Sequence, residues 1–71
     1  MNFLRLTHAG KPRLIAITEI ASMKISEKNE SKSEIYLRYL NNWVEFDILY
    51  QTLELMMEKF VLNKESLNND L

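Results

Sequence analysis

The chain has 71 residues, with nine Lys or Arg against ten Asp or Glu, one histidine and no cysteine. The lack of cysteine excludes a disulfide scaffold, and His8 alone cannot complete a structural zinc site, so self-association is the remaining staple for a domain with so thin a core. A net charge of −1 with signs interspersed along most of the chain argues against nucleic acid as a partner, and no apolar run approaches the ~20 residues needed to span a bilayer.

Residues 3 to 7 alternate, with Leu4 and Leu6 on one face and Phe3, Arg5 and Thr7 on the other, which is the period of a half-buried strand. The following His8-Ala9-Gly10-Lys11-Pro12 is turn chemistry, because Gly10 accepts positive φ and Pro12 offers no amide hydrogen to a ladder. A hairpin is expected, with its register open: loops of two and three residues place Leu14 and Ile15 on opposite faces. From 13 to 25 the aliphatic residues Ile15, Ile17, Ile20, Met23 and Ile25 point to two short strands bent at Thr18-Glu19, with helix as the competing reading for part of the stretch. Residues 26 to 33 contain no apolar side chain and read as a loop.

Two further β segments, 34–40 and 43–47, flank Asn41-Asn42, and asparagine tolerates the left-handed conformation that a tight hairpin demands. A two-residue turn there sets Leu37 opposite Phe46, Tyr39 opposite Val44 and Arg38 opposite Glu45, a register favoured by the opposed charges. One face then collects Ile35, Leu37, Tyr39, Val44 and Phe46. The other collects Tyr36, Arg38, Leu40, Trp43 and Glu45.

Asp47 is placed to cap a helix over 48–62, where Leu49, Leu53, Met56, Met57 and Phe60 fall in one stripe, with Tyr50 and Val61 on its shoulder. Residues 63–71 are polar and unpatterned and read as a disordered tail, leaving one domain over 1–62. The expected fold is α+β: an antiparallel β-meander of four to five short strands followed by one C-terminal helix.

No catalytic residue is assigned. There is no nucleophile elbow and no phosphate-binding loop, the single Gly is Gly10, and His8 lies beside a turn without an evident partner for acid–base work. Glu27, Glu30 and Glu34 alternate with Lys28 and Lys32, which describes a solvated loop better than a metal cage. Neither a metal nor another cofactor is expected. Two surfaces stand out instead. Tyr36, Arg38, Leu40 and Trp43 form a candidate partner-binding patch, since Trp, Tyr and Arg carry much of the energy at interfaces, although a curled sheet would make Trp43 core. Ile48, Leu55 and Leu62, spaced by seven, form a candidate oligomer interface on the side of the helix away from the core stripe.

The order of elements, Phe3-Leu4-Arg5-Leu6-Thr7, then Gly10-Lys11-Pro12, then Ile15 and Ile20, then a hairpin passing through Val44-Glu45 into a terminal helix, resembles the FlbD-like family of small flagellar and swarming motility proteins. The resemblance covers residues 3 to 61. It departs at Asn41-Asn42, where the family usually turns at a Gly, and at the charged loop 26–33, which looks like an insertion. It implies an interaction protein without enzymatic activity and transfers no site residues. Small proteins of phages and mobile elements share the pattern. The expected function is a cytoplasmic, homo-oligomeric protein-interaction module. The alternative is a phage or mobile-element factor that binds nucleic acid or a host nucleoprotein machine.

Overall fold

The computed structural model describes the backbone of residues 2–69 and the side chains of residues 2–60. In chain order it contains β1 (Phe3–His8), β2 (Lys11–Ala16), a 3₁₀ turn (Ile17–Glu19), β3 (Ile20–Ile25), β4 (Ser33–Leu37), β5 (Asn42–Phe46) and α1 (Tyr50–Asn69). The fold is α+β, as the sequence pattern predicts. Its five strands, all antiparallel, divide into two sheets, β1-β2 and β3-β4-β5.

The first hairpin turns at Ala9 and Gly10, both at positive φ (51° and 79°), the signature of a two-residue type I′ turn. That loop length settles the register. Leu4 opposes Ile15 and Leu6 opposes Arg13, so Leu4, Leu6 and Ile15 are buried while Leu14 is left 67% exposed. The expected bend at Thr18-Glu19 is the 3₁₀ turn.

The second hairpin corrects the expected pairing. Its loop is four residues long, Arg38 to Asn41, and only Asn41 takes positive φ (52°). The Asn41 amide donates to the Leu37 carbonyl at 2.9 Å and the Arg38 amide donates to the Glu19 carbonyl at 2.9 Å, so Arg38 is held in the turn and not across from Glu45. Tyr36 therefore pairs with Trp43, Ile35 with Val44, Ser33 with Phe46 and Glu34 with Glu45. Leu37 opposes Asn42 and not Phe46, and Tyr39 lies in the loop, unpaired with Val44. Contact between Tyr36 and Trp43 wins over the Arg38–Glu45 charge pair because two large rings meeting across strands bury more surface than two exposed charges gain.

The end of β5 joins the two sheets. The Asp47 amide donates to the Thr7 carbonyl at 2.8 Å, and His8 Nδ1 donates to the Glu45 carbonyl at 2.8 Å. Ser33 Oγ donates to the Ile48 carbonyl at 2.8 Å and Ser26 Oγ to Glu45 Oε2 at 2.6 Å. These bonds explain why Ser26 and Ser33 are buried, since a buried hydroxyl needs a partner.

Asp47 does not cap the helix, as its carboxylate is taken by Lys32 Nζ at 3.1 Å and the Gly10 amide at 3.2 Å. The helix begins at Tyr50, with the Leu53 amide donating to the Leu49 carbonyl. Ile48 and Leu49 thus precede the helical phase assigned to them. Ile48 packs against the core, whereas Leu49, expected within the core stripe, is 53% exposed. The rest of the stripe holds: Leu53 is fully buried among Leu4, Leu6, Ile15, Ile35, Leu37 and Phe46, and Met56, Met57 and Phe60 pack on that cluster. Val61 and Leu62 lie outside the described side chains. The helix backbone continues past Leu62 to Asn69; Lys64, Glu65 and Leu67 are good helix formers even where the apolar period has ended. Among the described residues no helix is long and apolar enough to cross a membrane.

Candidate interaction surface

The outward face of the three-stranded sheet brings together part of the expected patch. Tyr36 and Trp43 meet edge to face, with ring centroids 5.5 Å apart, and the Tyr36 hydroxyl donates to Asn41 Oδ1 in the neighbouring loop. Lys24, on the same face of β3, sits 4.5 Å from the centre of the Trp43 ring, a cation–π contact, and its Nζ also reaches Glu27 at 3.3 Å. Trp43 is half-buried, which answers whether it is core or surface: it covers the sheet with one side and faces water with the other. Lys24 was not expected at this site. The alternation of Ser22 and Lys24 with Met23 along β3 carries that signal.

Trp43 also borders a groove of about 340 Å³. Its floor is made by Ile15, Leu37, Val44 and Phe46, the end of the core that the helix leaves open. Tyr39 and Leu40, both exposed in the second hairpin loop, form one wall. His8, Arg13 and Glu45 supply the charged and titratable groups. The His8 ring stacks edge-on against Phe46 at 5.8 Å and donates its Nδ1 proton to the Glu45 carbonyl. Leu40 and Trp43 therefore share one site. Arg38 is exposed in the same loop but does not line the groove.

The second expected surface is divided. Ile48 turns toward the core, Leu55 is 62% exposed and Leu62 lies outside the described side chains. Exposed Glu54 and Glu58 flank Leu55 on one side of the helix and exposed Lys59 on the other.

One electrostatic cluster joins the charged loop to the first hairpin. Lys32 lies 3.1 Å from Asp47 and 3.8 Å from Glu45. Hydrogen bonding from Lys32, together with the Gly10 amide, holds the Asp47 carboxyl below its ordinary range. The same bond to Asp47, reinforced by the attraction of the two charges, raises Lys32. Among the described residues no cluster of three or more His, Asp or Glu side chains could hold a metal ion. The arrangement offers an apolar groove with aromatic walls, edged by the polar side chains of His8, Arg13 and Glu45. Comparison of the chain with protein-family models, with curated proteins and with solved structures finds no match.

Proposed function

We propose that the protein is a non-enzymatic interaction module that self-associates and presents the aromatic end of its sheets to a protein partner. The observation that carries this reading is the continuity of Tyr39, Leu40 and Trp43 with the apolar floor of the groove. Exposed aromatic and aliphatic side chains that run together favour partner docking over scattered surface exposure. The commitment of the His8 Nδ1 proton to a backbone carbonyl, with no carboxylate partner, favours a structural role for the one histidine. A FlbD-like role in motility is compatible with this reading. Affinity capture compares the wild-type chain with Leu40→Asp and Trp43→Ala. Proteins retained by the wild type are expected to be lost from both variants while the fold stays intact; identical retention by all three would overturn the assignment of this surface.

A nucleic-acid or nucleoprotein role is the second reading, favoured by one observation: before Glu19 the chain carries Arg5, Lys11 and Arg13 and no carboxylate. Titration against DNA at two salt concentrations separates the readings, since phosphate binding weakens steeply with salt.

A further inference from the structure

The outer side of the first hairpin holds a depression of about 330 Å³ lined by Arg5, Pro12, Arg13 and Leu14. Arg5 and Leu14 are direct cross-strand partners, so the depression combines an apolar base with the Arg5 guanidinium on its wall, while Arg13, paired with Leu6, borders it from the other face of the hairpin. Neither arginine takes part in an ion pair among the described residues. The helix presents the converse. Leu55 projects into solvent, and Glu54 and Glu58, one turn apart, stand beside it, again without an ion pair among the described residues. One face is an apolar hole edged by a cation, and the other an apolar knob edged on one side by two anions.

We infer that a second copy of this chain occupies the hairpin depression, inserting Leu55 over Leu14 and Pro12 while Glu54 and Glu58 meet Arg5. The inference rests on the self-association proposed above and names its geometry. Charge complementarity selects this occupant over another helix face, because Arg–carboxylate pairs add direction to the burial of the leucine. The contact joins two different surfaces, so it is heterologous, and repeated copies close into a ring or extend as a filament. Lys59, on the far flank of Leu55, remains toward solvent.

Charge reversal tests the contact from both sides. One variant carries Arg5→Glu and the other Glu54→Arg with Glu58→Arg; all three positions are exposed, and circular dichroism confirms that each variant folds. Each variant alone places like charges on both faces and is expected to sediment as a monomer at a concentration where the wild type assembles. Mixed in equal amounts, they pair every reversed face with an opposite one, and the assembly is expected to return. Assembly of either variant alone at the wild-type level, or failure of the folded mixture to reassemble, would overturn the inference and leave the self-association reading standing. A monomeric wild type would overturn both.

Discussion

The two hairpins of this chain are built on opposite plans. The first is closed by the shortest possible loop, Ala9-Gly10, with both residues at positive φ, whereas the second spreads its reversal over Arg38 to Asn41 and asks positive φ of Asn41 alone. A two-residue loop leaves its strands no freedom of register, but a longer loop yields the choice to side-chain contacts across the ladder. The second hairpin accordingly settles where Tyr36 meets Trp43, even though this places Glu34 opposite Glu45. That like-charged pair is relieved from outside the hairpin: Ser26 and Lys32 approach Glu45, and Lys24 lies across from Glu34.

The largest effect expected of a single change lies where both hairpins meet the helix. Leu53, fully buried against residues of both sheets, should cost about 2–5 kcal/mol as Leu53→Ala. Against a total stability on the order of 5 kcal/mol this leaves much of the protein unfolded. Leu55→Ala, a few residues along the same helix, should stay within about 0.5 kcal/mol in monomeric protein. Chemical denaturation of the two variants measures the contrast, and equal losses would mean that the helix packs by another face.

The turns themselves come next. Gly10→Ala should destabilise the first hairpin by about 1–2 kcal/mol, because an added Cβ meets no neighbour and the cost is wholly that of the left-handed backbone. Ala9 already bears such a cost, so Ala9→Asn, which creates the favoured Asn-Gly turn, should stabilise by roughly 0.5–1 kcal/mol. Asn41→Gly should cost only about 0.5 kcal/mol, through the lost Tyr36–Asn41 hydrogen bond, since both residues tolerate its conformation. Melting temperatures that respond more to Asn41 than to Ala9 would reverse the comparison between the hairpins.

A smaller effect is expected from pH. The Asp47 carboxyl is lowered in the folded state, so its stabilising contribution is present above the ordinary value of 3.8 and is lost as pH falls through the folded value. Lys32 is raised, so its contribution is present below 10.5 and is lost as pH rises through the folded value. Melting curves of Asp47→Asn across the acid range should be flatter than those of the wild type. An unchanged acid limb would show that the Lys32–Asp47–Gly10 cluster does not tie the loop to the first hairpin. On the aromatic face, Lys24→Ala should cost about 0.5 kcal/mol through the lost cation–π contact and shift the Trp43 emission; an emission spectrum identical to the wild type would remove Lys24 from the site.

The contrast also explains what the sequence makes legible. The expected and actual registers of the second hairpin differ by an even number of positions, so Ile35, Leu37, Val44 and Phe46 keep the core face and Tyr36 and Trp43 keep the other despite every partner being exchanged. Faces follow from alternation, which is local; partners follow from loop length, which a pair of asparagines does not fix. The same gap hid the groove. Arg13 and Ile15 join the face of Leu6 and His8 only when the first loop has two residues, the point left open by Gly10 and Pro12. Helix phase depends equally on its starting residue, and Asp47, committed to Lys32 and Gly10, releases the start to Tyr50 and takes Ile48 out of the expected ridge. The basic stretch ahead of Glu19 was plain in the sequence but is cancelled in the net charge by the carboxylates that follow.

Light scattering of the wild-type chain at low and high ionic strength tests most directly whether the protein self-associates through its two oppositely charged faces. At about 0.01 M salt, where charges act over ~30 Å, the mass should be a multiple of the 8.5 kDa chain, and at about 1 M, where they act over ~3 Å, it should fall toward that value. A mass of 8.5 kDa under both conditions would contradict the account.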